Sequence, residues 1–536
     1  MRKYRLILLS IILGFSALIG FNACEDVDPI IEDLSYDRAF TPVGFKASIA
    51  NITELTLKWS EGTNVDHYVV EIYIGTDFSS ANLISTTNST STSVTYTLPA
   101  GDTEYSARIK SISSIEGTTE SKWASVSFES GHENLFNGYS ISMTALDAIS
   151  ITWTPGKEVS QLLLKKGTEE TTYDISASEA TAGKKVVTGI SKGSYVISVL
   201  NNGLSRGSQE YLLEGDVFVA DGENIATAIS GASSGAVVVL QEGISFGIDI
   251  SGGPIVLNNN IKIKGASSAS MPTIYPATGA SSTNGMFYIG TAVLDSIVFQ
   301  NIILSGYINN ETSSMITGIV DQSTSSACSL SKLKFNGSSI EHLGRHIIRL
   351  RGTANQTVTT VEVNDCIVND FGSNSSSYGL INANNAAASI VNIEISNSTI
   401  YNLQCGLVSI GNSLGCESVL IDNCTCDQTM LSSTARYLID FGTSTTSSAG
   451  TITLSDCIFG STGINAGGVR NNLMTLSISK SYYTSDFVNS VASITSSLTA
   501  YSGASTALWT DPTNGVFTFL DEAFAGMDSA GDPRWK

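Results

Sequence analysis

The chain has 536 residues, with 49 acidic side chains against 28 Lys and Arg, which gives a formal net charge of −21. So acidic a protein is not expected to bind nucleic acid or anionic surfaces through bulk charge. Only 14% of the residues are charged and 48 are glycine, and no long stretch has helical periodicity, so the composition predicts an all-β secreted protein with many turns.

The N-terminal segment has the features of a secretory signal. Residues 1–5 are rich in basic side chains, and the apolar run at 6–21 is too short to cross a bilayer as a helix. The junction FNAC, which ends at Cys24, resembles the lipobox of bacterial lipoproteins, and the acidic run after it resembles the surface-export signal of Bacteroidota lipoproteins. The resemblance implies a signal peptide at 1–23, lipidation of Cys24, an acidic linker at 24–36 and a lipid anchor in the cell outer membrane, with exposure at the surface.

Residues 37–130 contain short alternating strands between turn clusters, which predicts a β-sandwich. The order of its strands resembles a fibronectin type III module. The resemblance implies that Trp59 and Tyr68 lie in the core and that Leu98 and Tyr105 form the tyrosine corner.

A second, divergent copy of this module is expected at 131–214. The stretch ISITWTPG (149–156) repeats the tryptophan strand, and ISKGSYVISVL (190–200) repeats the corner. Such modules usually act as spacers or interaction units, and neither copy contains a pattern that indicates chemistry.

The region 215–500 contains a repeat. Seven segments align without gaps: IVFQNIIL (297–304), LKFNGSSI (333–340), VEVNDCIV (361–368), IEISNSTI (393–400), VLIDNCTC (419–426), ITLSDCIF (452–459) and LSISKSYY (476–483). Their first and third positions are apolar, but the fifth is Asn, Asp, Gly or Lys, where strict alternation would place an inward side chain. A corner at the fifth position explains this break, since Asn, Asp and Gly tolerate left-handed backbone geometry. Short strands joined at a tight corner and repeated along the chain predict the rungs of a parallel β-helix.

Both ends of this region also resemble known β-helices. The segment 217–246, with a short helical stretch before a strand, resembles the opening of pectate-lyase-like β-helices, which implies a right-handed coil. The ending at 509–535 resembles the close of Bacteroidota surface lipoproteins in which fibronectin type III modules precede a β-helix of uncharacterised function. We therefore expect a β-helix at 215–500 and a closing segment at 501–536.

The sixth position of the repeat alternates between Cys and Ser after an initial Ile, and it contains Cys366, Cys424 and Cys457. Stacked rungs would place these side chains about 4.8 Å apart inside the coil. A metal site would need converging ligands, and a nucleophile would need exposure and a neighbouring base. Neither pattern is present, so small buried filler is the preferred interpretation, and a disulfide between Cys424 and Cys457 remains an alternative.

A third strand in each coil is predicted from short apolar segments whose middle positions recur at intervals of 28, 33, 27 and 31 residues. This polar column is Asp321, Arg349, Asn382, Ser409 and Asp440. Because the flanking residues are apolar, we expect the column to face solvent and to form a polar ladder that binds ligand along one face.

The nearby segment EHLGRHIIRLRG (341–352) adds Arg345, His346 and Arg351 to this face. In pectate-lyase-like enzymes, acidic residues hold calcium against a substrate carboxylate, while an arginine or lysine removes the α-proton. The resemblance implies Arg349 as the base of such a lyase and Asp321 and Asp440 as calcium ligands. The lyase signatures Trp-Ile-Asp-His and Arg-x-Pro-x-x-Arg are missing from the sequence.

Three functions remain open. The preferred hypothesis is a non-catalytic, lipid-anchored protein that binds polysaccharide along the β-helix and serves a glycan-transporter complex, with Tyr378 and Tyr437 available to stack on sugar rings. The second hypothesis is a calcium-dependent polysaccharide lyase acting on an acidic glycan. The third is a structural or adhesive surface protein.

Overall fold

The computed structural model describes residues 37–536 except 139, 278–284, 313, 373–378, 384, 386, 411–414, 433, 435 and 443–449. The predicted signal peptide, Cys24 and the acidic linker therefore lie outside the described residues. The chain divides into two compact units, residues 1–135 with 199–207, and residues 136–198 with 208–536. The architecture is all-β, as predicted, with sandwiches followed by a parallel β-helix.

The N-terminal sandwich lies in the first unit. Its strands are β1 (Lys46–Ala50), β2 (Glu54–Lys58), β3 (Val65–Ile74), β4 (Leu83–Ser89), β5 (Ser93–Thr97), β6 (Glu104–Ser113) and β7 (Ala124–Glu129). They form antiparallel sheets in the orders β1-β2-β5 and β4-β3-β6-β7. This is the fibronectin type III arrangement.

Aromatic side chains fill the core of this sandwich as predicted. Trp59 and Tyr68 are buried, with ring centroids 5.2 Å apart in an edge-to-face arrangement. The Tyr105 hydroxyl donates a 3.1 Å hydrogen bond to the carbonyl of Ala100, which lies next to the buried Leu98 in the same turn. The predicted tyrosine corner is therefore confirmed.

A second sandwich follows. Its elements are β8 (Ile141–Ala145), β9 (Ala148–Thr152), β10 (Gln161–Lys166), β11 (Glu169–Asp174), α1 (Ala177–Ala182), β12 (Lys184–Thr188), β13 (Gly193–Asn201) and β14 (Leu204–Leu213). The sheet orders β12-β9-β8 and β11-β10-β13-β14 repeat the topology of the first sandwich. Trp153 and Tyr195 are buried, and the Tyr195 hydroxyl donates to the Ser191 carbonyl at 2.6 Å. These contacts repeat the tryptophan strand and the corner.

The rest of the chain winds into coils. Its elements up to the closing segment are β15 (Val217–Val219), α2 (Ile225–Gly231), β16 (Ala236–Leu240), β17 (Ser245–Ile248), β18 (Ile255–Leu257), β19 (Ile261–Gly265), β20 (Thr273–Pro276), β21 (Gly285–Ile289), β22 (Val293–Gln300), β23 (Ile303–Ser305), β24 (Gly318–Gln322), β25 (Cys328–Asn336), β26 (Ser339–Leu343), β27 (His346–Leu350), β28 (Gln356–Asn364), β29 (Ile367–Phe371), β30 (Gly379–Ala383), β31 (Ala388–Ser396), β32 (Thr399–Leu403), β33 (Gly406–Ser409), β34 (Ser418–Asp422), β35 (Thr425–Asp427), β36 (Arg436–Asp440), β37 (Thr451–Ser455), β38 (Ile458–Phe459), β39 (Ala466–Arg470), β40 (Thr475–Ser479), β41 (Tyr482–Tyr483) and β42 (Thr499–Ala500). Short 3-10 turns lie at Ile308–Asn310 and Thr495–Ser497.

Three parallel sheets run along these coils. Sheet I has the order β15-β16-β19-β22-β25-β28-β31-β34-β37-β40, sheet II has β17-β20-β23-β26-β29-β32-β35-β38-β41-β42, and sheet III has β18-β21-β24-β27-β30-β33-β36-β39. Neighbours in each sheet are successive rungs, and the eight complete rungs, from β16-β17-β18 to β37-β38-β39, each contribute one strand to each sheet. One continuous apolar core fills the coil.

The predicted corner lies between sheets I and II. All seven fifth-position residues have left-handed backbone, with φ between 46° and 57°: Asn301, Gly337, Asp365, Asn397, Asn423, Asp456 and Lys480. Asn and Asp adopt this geometry more readily than most residues because their short polar side chains bond locally. Here the Asn397 amide donates to Asn364 of the preceding rung at 2.9 Å.

The structure shows whether the cysteines at the sixth position are buried filler or form a disulfide. Cys366, Cys424 and Cys457 are free and fully buried, and each thiol lies within 3.1–3.3 Å of the carbonyl two residues before it. Ser398 makes the same bond with its hydroxyl and also accepts from the backbone N–H of Cys366. The column is therefore filler, as predicted, but it also satisfies backbone groups at the corner. Burial raises the pKa of the Cys366 thiol to about 12.

The closing segment comprises α3 (Ser505–Leu508), β43 (Trp509–Asp511), a 3-10 turn at Pro512–Asn514, β44 (Val516–Phe519) and a 3-10 turn at Pro533–Trp535. Its last residues bind the outside of sheet II, where the Asp532 carboxylate accepts from the Thr399 hydroxyl at 2.6 Å. Trp509 is fully buried in the same segment. Within the described residues, no helix combines the length and apolarity needed to cross a membrane.

Candidate functional site

The register of the polar column in sheet III is the one that the sequence spacing predicts. Successive rungs pair Asp321 with Arg349, Arg349 with Asn382, Asn382 with Ser409, and Ser409 with Asp440. The ladder then continues to Arg470, which the sequence analysis did not include. The interval from Asp440 to Arg470 is 30 residues, so the same spacing could have found it.

The predicted exposure of this column is wrong. Asp321, Asn382 and Ser409 are 1%, 0% and 8% exposed, and Arg349 and Asp440 are half-buried. Each strand carries two adjacent apolar residues before the column, such as Ile347 and Ile348, and both members of this pair are buried. Because neighbouring side chains point to opposite faces, both faces of these strands are covered. The column is therefore not an open polar ladder.

Asp321 is held by Arg351. The Arg351 guanidinium donates from Nε to Oδ1 at 2.8 Å and from a terminal nitrogen to Oδ2 at 2.9 Å, and the Thr317 hydroxyl adds a 3.2 Å bond. Such a two-bonded arginine pair is strong and fixes the orientation of both groups. With both carboxylate oxygens engaged, Asp321 is not available as a metal ligand in this arrangement.

His346 lies beside this pair and is fully buried, with Nε2 3.8 Å from Asp321 Oδ1. Burial lowers the pKa of His346 to about 3; the Asp321 charge opposes this effect, while the charges of Arg349, Arg345 and Arg351 add to it. The imidazole is therefore neutral at physiological pH. Arg345, Arg349 and Arg351 lie within five residues of this imidazole, on strand β27 or directly beside it.

Asn382 follows Arg349 on the next rung and is fully buried. Neither its amide nitrogen nor its amide oxygen has a hydrogen-bond partner. A buried amide without partners costs about 1–3 kcal/mol. We refer to Arg345, His346, Arg349 and Arg351, with Asp321 and Asn382, as the basic cluster.

Asp440 belongs to a separate arrangement. Arg470 donates two 2.7 Å bonds to its carboxylate, and the Arg470 guanidinium also lies 4.4 Å from the centre of the Tyr437 ring. Four rungs separate Asp440 from Asp321, which is roughly 19 Å at the usual spacing. The two carboxylates therefore cannot share one calcium ion.

The residues present do not fit a calcium centre of the lyase type. In the part of the chain that the structure describes, no group of three or more His, Cys, Asp or Glu side chains is arranged to hold a metal ion. Calcium normally takes six to eight oxygen ligands. Of the two aromatic candidates for sugar stacking, Tyr437 is half-buried against Arg470, and Tyr378 lies outside the described residues.

Sheet II carries a polar group that the sequence pattern did not predict. His342 Nδ1 lies 2.7 Å from Asp370 Oδ2, the Tyr307 ring stacks on the imidazole at 3.9 Å, and the Tyr307 hydroxyl donates to the same carboxylate at 3.3 Å. Both His342 and Asp370 have positive φ, 58° and 54°. They form a second left-handed column one strand after the first corner. In the sequence, this second column is visible as a polar residue directly before Leu343 in one rung and directly before Phe371 in the next.

These features define an all-β protein in which sandwiches of fibronectin type III topology precede a parallel β-helix. Residues 419–535, which span the last coils and the closing segment, match the family described as Domain of unknown function (DUF5123). No curated protein matches the chain. Among solved structures, a two-domain fibronectin type III segment of chicken tenascin is 18% identical and covers 32% of this chain and 98% of its own, with a TM-score of 0.21. The FN1-FN3 domains of chicken CNTN1 are 13% identical and cover 33% and 68%, with a TM-score of 0.15.

Proposed function

We propose that this protein is a lipid-anchored protein of the cell outer membrane that binds polysaccharide at the basic cluster of sheet III and is accessory to glycan uptake. The observation that carries the proposal is the presence of three arginines within five residues of His346, on strand β27 or directly beside it, in a chain of net charge −21. Asp321 is the acidic group beside them, 3.8 Å from His346 and ion-paired with Arg351. A solubilising surface in so acidic a protein would not need this local excess of positive charge.

Arginine also indicates the kind of contact. Its planar guanidinium forms paired hydrogen bonds with carboxylate or sulfate oxygens. Arg351 is fixed by Asp321 but remains 37% exposed, and Arg345 and Arg349 are half-buried. The ligand contacts are therefore assigned to these arginines, and the buried Asp321, Asn382 and Ser409 support them from within. Anionic substituents of the glycan would meet the arginines without calcium.

The anchor is proposed from residues 1–24 alone. Their basic start, apolar run and FNAC junction support lipidation of Cys24 and placement at the outer membrane. A glycan-transporter complex in the same membrane is the partner that such an accessory protein would serve.

Affinity electrophoresis of the full chain in gels containing single polysaccharides tests the binding. We expect retardation by at least one uronate-containing or sulfated polymer, undiminished by EDTA, and reduced at least tenfold in apparent affinity by Arg349→Ala. Arg470→Ala is the matched control, because it removes the same charge from the same column but from the Asp440 pair. Retardation that Arg470→Ala weakens as much as Arg349→Ala would attribute binding to bulk charge and reject the site.

The same preparations separate the other two functions. A lyase would produce an unsaturated uronate that absorbs in the near ultraviolet, in a calcium-dependent manner that Arg349→Ala abolishes. A purely structural or adhesive protein would show neither absorbance nor retardation on any polymer of the panel.

Metabolic labelling with palmitate tests the anchor. Label should appear in the wild-type protein and be absent from Cys24→Ser, with external protease cleaving the protein on intact cells. Label that persists in Cys24→Ser would reject Cys24 as the acceptor without affecting the glycan experiment.

A further inference from the structure

The corner column between sheets I and II has one gap. Six of its seven rungs carry a side chain, and Gly337 alone carries none. Asn301 Oδ1, from the rung before, lies 2.5 Å from the position that a Cβ of Gly337 would take, and Asp365 Oδ2, from the rung after, lies 3.7 Å from it. Two oxygen acceptors from different rungs therefore converge on the space that the glycine leaves.

A cavity of about 250 Å³ opens at this gap. Ser268 and Met271 line it on one side, and Ile367 and Arg534 line it together with the two acceptors. The Arg534 side chain comes from the closing segment, so one wall of the cavity is supplied by residues about 170 positions further along the chain. The cavity is smaller than the ~300–1,000 Å³ that takes drug-sized ligands, so it suits a single small ring.

The one positive charge at the cavity is already paired with two carboxylates. Arg534 donates to Asp365 Oδ1 at 2.7 Å and to the Asp365 carbonyl at 2.9 Å, and its other terminal nitrogen donates to Asp532 at 2.8 Å. With one guanidinium bound to two carboxylates, the cavity offers no surplus positive charge to an anion. Its remaining polar groups are acceptors and hydroxyls, which favour a ligand that donates hydrogen bonds and disfavour an anion.

We propose that this corner cavity binds one neutral pyranose residue of a glycan. The ring's hydroxyls donate to Asn301 Oδ1 and Asp365 Oδ2, and the Ser268 hydroxyl completes the polar contacts. Met271 and Ile367 pack against the apolar C–H face of the ring. The site lies at the corner of sheets I and II, and it does not depend on the basic cluster of sheet III.

Two substitutions of opposite volume test this site while keeping the left-handed backbone of the corner; the new Cβ at position 337 displaces the Asn301 side chain, whose Oδ1 lies 2.5 Å from it. Gly337→Asn fills the gap with the residue that three other rungs already carry at this position, so the left-handed backbone is kept. Asn301→Gly keeps the same backbone freedom and removes an acceptor. Lys480→Asn is the control, since it changes the last rung of the same column, outside the cavity lining.

Saturation-transfer difference NMR of the full chain provides the measurement, with the methyl glycosides of glucose, galactose and mannose as neutral probes and methyl galacturonoside as the anionic probe. We expect transfer to at least one neutral glycoside, at least tenfold weaker binding in both Gly337→Asn and Asn301→Gly, and unchanged binding in Lys480→Asn. Absence of transfer to every neutral glycoside, preference for the galacturonoside, or binding within twofold of wild type in Gly337→Asn would each overturn the proposal.

The outcome is separable from that of the proposed function. Polymer retardation lost in Arg349→Ala but not in Gly337→Asn, together with no transfer to the glycosides, would retain the basic cluster and reject the corner cavity. Transfer to a neutral glycoside without any polymer retardation would retain the corner cavity and reject the basic cluster.

Discussion

The corner between sheets I and II and the polar column of sheet III are both ladders of equivalent residues, but they use polar side chains for different purposes. At the corner, all seven aligned rungs have positive φ, from 46° to 57°, so the backbone itself favours Asn, Asp or Gly, and only the last of them carries another residue, Lys480. In sheet III no backbone geometry demands a polar residue. There, Asp321 and Asp440 depend on arginines supplied by the next rung, and the Asn382 side-chain amide has no hydrogen-bond partner among the described residues.

The comparison distinguishes polar residues that the local backbone geometry requires from polar residues that depend on a partner in another rung. A corner residue is explained within its own turn. A polar residue on a strand covered on both faces needs a partner from elsewhere, and the energetic cost of the residue depends on whether that partner exists. Substitutions in the two ladders should therefore differ in size and even in sign.

The largest effect is expected for Asp321→Ala. This carboxylate is 1% exposed and binds Arg351 through two bonds, so its loss leaves a guanidinium without its anion beside the buried His346. Because solvent reaches Arg351, which is 37% exposed, the cost is that of the lost charge-assisted bonds, about 2–3 kcal/mol. Urea unfolding of the full chain, followed by far-UV circular dichroism, measures the change in the free energy of unfolding.

Asp440→Ala is the matched control for that substitution. It removes an equivalent arginine-bound carboxylate from the same column, but the two side chains of its pair are 35% and 23% exposed. Solvent replaces much of such an interaction, so the expected cost is about 1 kcal/mol. Equal costs at the two positions would show that burial does not distinguish the two pairs.

At the corner, Asn397→Ala should destabilise the protein by about 2 kcal/mol. Alanine has to adopt a φ of 49° without the side-chain bond to Asn364, which combines a backbone cost with a lost hydrogen bond. Asn397→Gly loses the bond but not the backbone freedom, so about half of that cost should remain. The same urea titration compares the two variants, and an equal cost for Ala and Gly would contradict the backbone explanation.

The sequence predicts the part of this contrast that depends on local constraints. The corner was predictable because its constraint is local: a polar residue interrupts an alternating pattern, and residues 301 and 365 then share one left-handed geometry. The register of sheet III was predictable from rung-length spacing. The burial of the sheet III column was not predicted, since a single polar column does not show what covers it. The adjacent apolar residues Ile347 and Ile348 did indicate that both faces of the strand are covered.

Asn382→Leu should act in the opposite direction to Asp321→Ala. Its amide is fully buried and has no hydrogen-bond partner, so an apolar side chain of similar size removes a desolvation cost. We expect stabilisation by about 1 kcal/mol, measured by urea titration. Loss of stability would mean that the amide bonds a group whose contribution outweighs that cost.

The smallest effect is expected at the sixth position, where Cys366→Ser should change the free energy of unfolding by less than about 0.5 kcal/mol, because a hydroxyl can donate to the Asn364 carbonyl as the thiol does. Cys366→Val lacks that donor and adds a methyl group beside the corner, so it should cost about 1–3 kcal/mol.

Alkylation provides a second measurement on the wild-type protein. Since burial raises the pKa of Cys366 to about 12, iodoacetamide at pH 8 should modify this thiol only after unfolding. Rapid modification in the native state would show that the corner opens, and the column would then not be the rigid counterpart of sheet III.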